Sequence, residues 1–458
     1  MKFRIEKDSM GAIEVPNEAH YGSQTQRAIL NFPISGQPMP ASFIQALAYI
    51  KLHSAQTNME LGLLNEQWAS AIISAAQEVI DQKHPDQFLV DVFQTGSGTS
   101  TNMNMNEVLA SIANETITGQ RGGKKPVHPN DHVNMGQSSN DIIPSALHLA
   151  AAKEIKQRLL PALSLLQTEL SAKAAEFQSI CKLGRTHLQD AVPMTLGDEF
   201  SGYARQMEIS IERLQSVLPE MGELALGGTA VGTGLNTHPE FAPKTIARMA
   251  GQTGLPLTKA KNHFEAQGAQ DAVVSASGAL KTTAVGFYKI ANDLRWLGSG
   301  PRCGLGEINL PSLQPGSSIM PGKINPVMCE MAMQVSAQVI GCDAAISIGG
   351  LSGVLELNVM LPVMVYNLLT AIDLLCNATT AFAEKCVRGI TANEKICRAN
   401  IEKSLAMITG FVPHIGYDLA AEIAKEAHQT GKTIRQVAIE RELLAIEIIE
   451  DILSYPKK

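Results

Sequence analysis

Five long segments with few turn residues place the strongest limit on what this chain can fold into. They cover residues of about 142–175, 193–220, 266–297, 327–350 and 355–386, and each is much longer than an average helix. Ala, Leu, Met, Gln and Glu are abundant and favour helices. Aromatic residues, which are typical of strands, make up only 5% of the chain. We therefore predict an all-α protein.

These predicted helices carry apolar residues on more than one face. Residues 331–340, for example, read MAMQVSAQVI, and a helix that is apolar all round must be buried on all sides. A single chain has difficulty covering five such helices, so we expect partner subunits to complete a helical bundle. The pattern predicts an obligate homo-oligomer.

Charge and cysteine usage exclude several classes of protein. The formal net charge is −7, which provides no basic field for a nucleic acid. The seven cysteines are scattered and never spaced Cys-x-x-Cys, which argues against a disulfide framework and a zinc site. The first eight residues, MKFRIEKD, lack the apolar region of a signal peptide. We expect a cytoplasmic protein without a nucleic-acid partner.

The stretch of residues 344–372 requires a membrane test, because Glu356 is its only charged residue. Ser, Asn and Pro residues interrupt the stretch, and no Lys or Arg cluster flanks it. We therefore expect buried helices and no membrane partner.

The polarity of the chain changes twice along its length. We predict a mostly helical N-terminal domain with substrate loops over residues 1–137 and a central helical bundle over residues 138–389. The charged, amphipathic pattern that follows predicts a small C-terminal helical domain over residues 390–458.

Four polar clusters interrupt the apolar pattern, each ahead of a predicted helix. They occupy residues 94–102, 128–141, 184–190 and 316–326. In three of them we expect Asn140 or Asp141 with Pro144, Asp190 with Pro193, and Asn325 with Pro326 to start the helix. Helix N-termini offer unpaired amide donors and a partial positive charge, so converging helix starts predict a site for a small dianion. Simple capping is the alternative for any one cluster.

The cluster at residues 316–326 indicates a catalytic loop. Ser317 would serve as a nucleophile or base if activated, and Lys323 and Asn325 supply donors for developing negative charge. A phosphate-binding loop is excluded, because five residues separate the first Gly from the Gly-Lys pair and Ile324 follows Lys323. The hydrolase pattern Gly-x-Ser-x-Gly is also absent. A surface loop with incidental serines is the remaining alternative.

His187, Glu330 and one histidine pair are the other candidate groups. His187 lies in a polar cluster and would supply a general base near neutral pH. Glu330 lies on the first turn of a very apolar helix, where a paired role is favoured over a solvated one. His128 and His132 are four residues apart, but Pro129 lies between them and no third ligand is evident. We predict no metal site.

Residues 316–325 carry the pattern Gly-Ser-x-x-Met-x-x-Lys-x-Asn, which resembles the signature of the fumarase/aspartase superfamily. Residues 8–11, 21–25, 96–99 and 227–234 also resemble class II fumarate hydratase, and the resemblance covers essentially the whole chain. His187 favours this family over aspartate ammonia-lyase, which typically has glutamine there, and so does the pair Cys329-Glu330. Argininosuccinate and adenylosuccinate lyases resemble the chain much less outside the loop.

The resemblance implies a three-domain fold whose central long-helix bundle is completed in a homotetramer, with active sites shared between subunits. It implies reversible hydration of fumarate to L-malate, a tricarboxylic acid cycle reaction, through a carbanion (aci-carboxylate) without metal or cofactor. Aspartate ammonia-lyase, another superfamily lyase and a non-catalytic structural member are the alternatives. The intact set Ser317, His187, Lys323 and Glu330 argues against the structural member.

The resemblance also implies roles for individual residues. Ser317 would remove the C3 proton of malate, Lys323 and Asn325 would hold the resulting charge, and His187, tied to Glu330, would handle the water. The residues that would bind the substrate carboxylates are Ser97, Thr99, Ser138, Ser139, Asn140, Thr186 and Ser318, with Asn325. A second carboxylate site would comprise His128, Asn130 and Asp131, with Lys125 where an arginine is usual, which weakens bidentate binding.

Overall fold

Helices dominate the computed structural model, which describes residues 2–454. The predicted all-α class is confirmed. The α-helices of the described residues are α1 (Ser23–Asn31), α2 (Ala41–Glu60), α3 (Glu66–Ile80), α4 (Thr99–Thr118), α5 (Ser139–Glu154), α6 (Leu160–Glu176), α7 (Leu196–Met221), α8 (Phe241–Thr253), α9 (His263–Gly268), α10 (Asp271–Leu297), α11 (Val327–Gly350), α12 (Leu361–Lys385), α13 (Glu394–Lys403), α14 (Val412–Ile415), α15 (Tyr417–Thr430), α16 (Ile434–Glu440) and α17 (Ile446–Leu453).

The strands are short and form two-stranded ladders. The strands within residues 2–454 are β1 (Phe3–Asp8), β2 (Gly11–Pro16), β3 (Cys181–Thr186), β4 (Gln189–Thr195), β5 (Glu223–Leu224), β6 (Thr258–Lys259), β7 (Ile308–Asn309), β8 (Gly353–Val354), β9 (Leu357–Asn358) and β10 (Thr391–Ala392). Antiparallel ladders join β1 to β2, β3 to β4, β7 to β10 and β8 to β9, and a parallel one joins β5 to β6.

All five predicted long segments are confirmed as helical. The first comprises α5 and α6, which a π-helical turn at Ile155–Leu159 joins. The second is α7, the third comprises α9 and α10, and the fourth is α11 with the predicted bounds Val327–Gly350. The fifth is α12, but it begins at Leu361 rather than at residue 355.

The late start of α12 has a local cause. The β8–β9 hairpin occupies the residues before it, and Asn358 Nδ2 donates to the Gly349 carbonyl at 2.9 Å. A Cβ at Gly353 would lie 2.2 Å from the Gly268 carbonyl oxygen, so the hairpin packs against the end of α9. The apolar stretch 344–372 is therefore two helix ends and a hairpin, not one helix.

The described residues form two compact units. The first unit takes in residues up to 161, 212–284 and 337–376, and the second unit takes in residues 162–211, 285–336 and from 377 onward. The division into three domains stays a prediction. Residue 1 and residues 455–458, which belong to the predicted N- and C-terminal domains, lie outside the described residues.

The core of the first unit lies among α2, α3, α4, α5 and α8. Phe43, Leu47 and Ile50 on α2 are fully buried, as are Leu109 on α4 and Leu147 on α5. Burial of each such side chain stabilises the fold by about 1.5–3 kcal/mol. These helices therefore form a rigid base for the polar turns at their N-terminal ends.

The second unit has its own apolar cluster beneath the β3–β4 hairpin. Leu183 of β3 packs there with Phe411, Ile423, Val437 and Ile449 from the C-terminal helices. Edge-to-face ring pairs, which are favoured over stacked sandwiches, join Phe177 to Phe200 and Phe287 to Phe382 elsewhere in this unit. The hairpin is thus attached firmly at its base.

Two helical runs, Val327–Gly350 and Leu361–Gly389, are long and apolar enough to cross a membrane by length and composition alone. Core helices of soluble proteins pass the same test, so this is weak evidence for a span. In the most apolar 18-residue part of each run, 33% is buried for the first run and 61% for the second. The predicted lack of a membrane partner stays a prediction.

Candidate active site

The predicted site residues fall into both units. Ser97, Thr99 and residues 138–140 belong to the first unit. Residues 186–187 and the loop of residues 316–325, with Glu330, belong to the second unit. Each group has its own supporting structure.

Two glycines shape the turn before α4. Gly98 has a left-handed φ of 72°, and a Cβ there would lie 2.9 Å from Ile143 Cγ2. A Cβ at Gly96 would lie 1.8 Å from the Val359 carbonyl oxygen, because Leu361 N donates to the Gly96 carbonyl at 3.0 Å. Only glycine permits these close approaches, so the turn presents Ser97 and Thr99 in a defined position.

Three hydroxyl groups from two chain segments form a continuous hydrogen-bonded chain. Ser97 Oγ lies 2.8 Å from Thr99 Oγ1, and Thr99 Oγ1 lies 2.7 Å from Ser139 Oγ. Each hydroxyl has one proton and two lone pairs, so the chain can turn its donors toward an anion. The structure thus brings together the first and second polar clusters, as expected.

The turn of residues 138–141 caps α5 through a capping box. Ser138 Oγ accepts from Asn140 N at 3.2 Å, and Asp141 Oδ1 accepts from Ser138 N at 2.9 Å. The N-cap is therefore Ser138 rather than Asn140 or Asp141, and Pro144 lies inside the helix rather than on its first turn. The positive end of α5 lies beside the hydroxyl chain, an arrangement that favours a carboxylate.

Asp141 also fixes a second loop of the same unit. Its Oδ2 accepts from Gly227 N and Thr229 N, both at 3.0 Å, and Asn140 Nδ2 donates to the Ala230 carbonyl at 2.8 Å. Asp141 is fully buried, and this burial raises its pKa to about 6. One carboxylate therefore orders two loops.

Lys51 holds the segment that leads into the turn of residues 138–141. It is fully buried on α2, and its Nζ donates to Asn134 Oδ1 at 3.0 Å and to Gln137 Oε1 at 2.8 Å. Burial lowers the pKa of Lys51 to about 7. The segment that leads into Ser138 is consequently held by a buried amine.

The third polar cluster is a β-hairpin, so its predicted helix cap at Asp190 and Pro193 is wrong. Asp190 pairs with Arg185 in the β3–β4 ladder, and Pro193 lies within β4. His187 and Leu188 form the two-residue turn with φ of 57° and 58°, the combination of a type I′ hairpin turn. Helix α7 starts only at Leu196, where Thr195 and Asp198 make the capping box.

The hairpin tip presents Thr186 and His187 to solvent. Glu330 lies on the first turn of α11, as predicted, and its side chain is exposed. Within residues 2–454 no hydrogen bond or ion pair joins His187 to Glu330. The expected pairing of these two residues is not formed within one chain and stays a prediction.

The loop of residues 316–325 is closed at its base and exposed at its tip. Gly316 N donates to the Lys323 carbonyl at 2.7 Å, and Asn325 Nδ2 donates to the Gly316 carbonyl at 2.6 Å. Pro326 directly precedes Val327, where α11 begins. Ser318 and Lys323 are exposed, and the loop lines an open cavity of about 420 Å³.

Ser317 receives two backbone donors within this loop. Ile319 N donates to Ser317 Oγ at 3.2 Å and Met320 N donates to it at 3.0 Å. Amides that point at a hydroxyl oxygen stabilise it when it loses its proton. The role of Ser317 as a base stays a prediction.

Comparison with known proteins identifies the family of this chain. Residues 11–341 match the family model described as lyase, and residues 407–457 match the model described as fumarase C C-terminus. The class II fumarate hydratase of Mycobacterium tuberculosis is 54% identical over 452 residues, which are 98% of this chain and 94% of that protein. The chain belongs to the class II fumarate hydratase family.

Two further relatives support the family membership. The class II fumarate hydratase of Nitrosomonas europaea is 53% identical over 438 residues, which are 96% of this chain and 95% of that protein. The crystal structure of recombinant class II fumarase from Schistosoma mansoni superposes with a TM-score of 0.96 at 42% identity, covering 99% of this chain and 98% of that one. The predicted fumarase/aspartase-like fold is confirmed.

The predicted second carboxylate site forms a short π-helical turn at Pro129–Val133. His128 Nδ1 accepts from Asn130 N and Asp131 N, both at 3.2 Å, and lies 3.4 Å from Asp131 Oδ2. His132 Nδ1 accepts from His128 N at 2.9 Å. Lys125 is exposed. The structure brings the three predicted residues together, and carboxylate binding there stays a prediction.

Among residues 2–454, no group of three or more His, Cys, Asp or Glu side chains is placed to hold a metal ion. The histidine pair at 128 and 132 uses both Nδ1 atoms as acceptors for backbone amides. These two histidines therefore have local structural partners in this family member.

Sequence reasoning missed the supporting residues Lys51, Arg185 and Glu307. The only signal at Lys51 was a single lysine within the apolar run of α2, and Glu307 carried none. Their partners lie far along the chain: Lys51 binds Asn134, and Glu307 binds Arg185. Contacts of this kind have no local pattern.

Proposed function

We propose that this protein catalyses the reversible hydration of fumarate to L-malate. The observation that carries the proposal is the pair of backbone amides on Ser317 Oγ, within a loop that also holds Lys323 and Asn325. Family membership supports the same reaction, since the relatives are named as fumarate hydratases at 51–54% identity.

The proposed mechanism begins with proton abstraction from malate. Ser317, as an alkoxide held by the Ile319 and Met320 amides, removes a proton from C3. The electron pair of the broken C–H bond moves into the adjacent carboxylate and gives an aci-carboxylate. Lys323 and Asn325 stabilise the added negative charge. Their electrostatic interaction with this charge is stronger in a site from which water is excluded.

The second step expels the C2 hydroxyl. The electron pair returns from the aci-carboxylate to form the double bond, the C–O bond breaks, and protonated His187 gives its proton to the leaving hydroxyl as water. Glu330 would orient His187 and stabilise its charged form. In hydration the same groups act in reverse, with neutral His187 taking a proton from water.

The first unit supplies the proposed binding site for a substrate carboxylate. The hydroxyl chain of Ser97, Thr99 and Ser139 lies beside the N-terminus of α5, where Ser138 and Asn140 add polar groups. Thr186 and Ser318 would complete the binding of the dicarboxylate. The substrate is thus recognised by neutral donors and a helix end, in agreement with the net charge of −7.

We further propose a homotetramer with active sites shared between subunits. Apolar side chains on α11 lack cover within a single chain: Ile340 is 40% exposed and Ile348 is 59% exposed. Thr186 and His187 are exposed at a hairpin tip, which suits residues that complete a site with another subunit. Sedimentation velocity tests the tetramer, and a monomer with full activity would contradict it.

A cytoplasmic location and a place in the tricarboxylic acid cycle are part of the proposal. Seven free cysteines, six of them buried, are consistent with a reducing compartment. Cell fractionation with an antibody against the protein would test the location.

The decisive experiment follows fumarate by its ultraviolet absorbance when purified enzyme is given L-malate or L-aspartate in parallel. Signal with malate alone is the expected result. Signal with aspartate alone would assign the protein to the ammonia-lyases, and no signal with either would favour another lyase or a structural role.

A further inference from the structure

The turn that carries His187 is strained. Both His187 and Leu188 have left-handed φ angles, 57° and 58°, and neither is glycine, Asn or Asp. Such residues cost about 1–3 kcal/mol each and persist only where the surrounding structure imposes the conformation. The tip itself is exposed and provides no such constraint. The constraint must therefore come from the strands below the turn.

The strand β3 changes register just below the turn. Between the pairs Leu183–Pro193 and Arg185–Asp190, β3 has one residue, Gly184, and β4 has two, Ala191 and Val192, so the ladder carries a bulge in β4 opposite Gly184. A Cβ at Gly184 would lie 2.8 Å from the Val192 carbonyl oxygen, so glycine is needed for this close pairing. A bulge disrupts the ladder locally and increases its twist, and Arg185 is the first residue of β3 that is paired on the turn side of this bulge.

Arg185 meets Glu307 in a bidentate pair. Arg185 Nη2 donates to Glu307 Oε1 at 2.7 Å, and Nη1 donates to Oε2 at 3.0 Å. Asn400 Nδ2 adds a bond to Oε1 at 3.2 Å. Parallel fork-to-fork bonds fix orientation as well as distance, so this pair determines where the upper end of β3 lies.

Glu307 is itself a rigid partner. Its side chain is fully buried, its amide donates to the Leu297 carbonyl at 2.9 Å, and its carbonyl accepts from Asn393 N at 2.8 Å. The β7–β10 ladder begins at the next residue, Ile308. Glu307 therefore cannot follow the hairpin if the hairpin moves.

Lys182 connects this pair to a second carboxylate that does not contact the hairpin tip. Lys182 Nζ lies 2.9 Å from Glu199 Oε2 and 3.5 Å from Glu307 Oε2. Glu199 is on the first turn of α7, and within residues 2–454 no hydrogen bond or ion pair joins it to Arg185, on which it acts only through its charge. The network thus contains two glutamates that both bind Lys182. Only Glu307 also binds Arg185, the residue before Thr186.

We propose that Glu307 is a positioning residue for the reaction: its bidentate bond to Arg185 holds the strained turn so that His187 and Thr186 keep their catalytic placement. The inference rests on the proposed function, because it takes His187 as the group that transfers the proton of water. The simpler alternative is a buried ion pair that stabilises the fold and has no effect on His187.

A double-mutant cycle separates these two roles. Glu307→Gln and Glu199→Gln are made alone and in a His187→Asn background, and kcat and KM for L-malate are measured for each enzyme. Glu307→Gln should lower kcat about 10- to 100-fold, the usual loss for a catalytic group displaced by about 1 Å. Glu199→Gln, the matched control, should leave kcat within about threefold.

The cycle gives the distinguishing result. In the His187→Asn background, Glu307→Gln should cause little further loss of kcat, because the group that it positions is already absent. Equal losses from Glu307→Gln in both backgrounds, or equal losses from Glu307→Gln and Glu199→Gln, would overturn the proposal. Arg185→Lys, which keeps the charge and loses the fork, serves in the same cycle if Glu307→Gln does not fold.

Hydrogen exchange provides a readout that needs no activity. The amides of residues 186–189 should exchange at least about tenfold faster in Glu307→Gln than in Glu199→Gln. Unchanged exchange at the hairpin would also overturn the proposal. If the wild-type enzyme is inactive on malate but the two variants still differ in exchange, the proposed function is wrong. Glu307 would then remain the residue that holds the hairpin.

Discussion

The turn of residues 138–141 and the loop of residues 316–325 both contain predicted site residues, but different kinds of hydrogen bonds hold them in place. The turn is tied to other segments of its unit by Asp141, Asn140 and the buried Lys51 network. The loop bonds chiefly to itself, between Gly316, Lys323 and Asn325, and its tip is exposed. We infer that the turn proposed to bind a carboxylate is ordered by the rest of its unit, whereas the loop is ordered mainly by its own hydrogen bonds.

The largest expected effect tests the chemical role of the loop. Ser317→Ala should lower kcat by at least about 10³-fold, because it removes the proposed base, and should change KM little. Steady-state kinetics with L-malate measures both constants. Ser318→Ala is the control, since Ser318 would only bind substrate. A Ser317→Ala enzyme with turnover near wild type would remove Ser317 from the mechanism.

The second prediction concerns the pH dependence of the buried amine in the first unit. Burial lowers the pKa of Lys51 from 10.5 to about 7. Between these values the unfolded chain binds the proton and the folded chain does not, so the free energy of unfolding rises with pH. This contribution should grow by about 2–3 kcal/mol from pH 7 to pH 9.

Urea unfolding of wild type and Lys51→Met at the two pH values measures this difference. The stability of the wild type relative to Lys51→Met should increase from pH 7 to pH 9. Lys259→Met removes an exposed lysine and should show no comparable change. A gap between wild type and Lys51→Met that stays constant with pH would mean that Lys51 is charged in the folded protein.

Matched glycine substitutions compare the rigidity of the two regions. A Cβ at Gly96 would lie 1.8 Å from the Val359 carbonyl oxygen, and a Cβ at Gly316 would lie 2.7 Å from Asn325 N. Gly96→Ala should reduce the free energy of unfolding by about 1–3 kcal/mol, since a packed segment must move. Gly316→Ala should reduce activity with a much smaller loss of stability, because the loop can open locally.

Thermal unfolding and malate turnover of both variants check this contrast. Gly202→Ala, on α7, provides the control, because its Cβ would meet open space and its φ is not left-handed. Equal losses of stability from Gly96→Ala and Gly316→Ala would show that the loop is as rigid as the turn.

The smallest expected effect compares two capping boxes of the same design. Asp141→Asn leaves the Ser138 amide and the buried amides of Gly227 and Thr229 poorly paired, and it should reduce the free energy of unfolding by about 1–3 kcal/mol. Asp198→Asn disturbs the corresponding cap of α7 and should cost about 0.5–1 kcal/mol. Chemical denaturation measures both. If both substitutions reduced the free energy of unfolding equally, the burial of Asp141 would not make its cap more stabilising than the cap at Asp198.

The sequence predicted the long helices well because their signal is local. The helix α11 has the predicted bounds, since an apolar segment lies between Pro326 and glycines at 349–350. The cluster at 184–190 was misassigned, because a polar run before a helix has the same composition as a hairpin turn. Only the positive φ angles of His187 and Leu188 distinguish the two.

The sequence by itself determined the helical class, the apolar faces of the long helices, and the polar loop that carries Ser317, Lys323 and Asn325, because residue type and short spacing carry that information. The tertiary structure alone decided which groups support them. Lys51 reaches Asn134, Asp141 reaches Gly227, and Glu307 reaches Arg185 across long stretches of chain. A buried charge takes its partners wherever folding places them, and no local pattern records that choice.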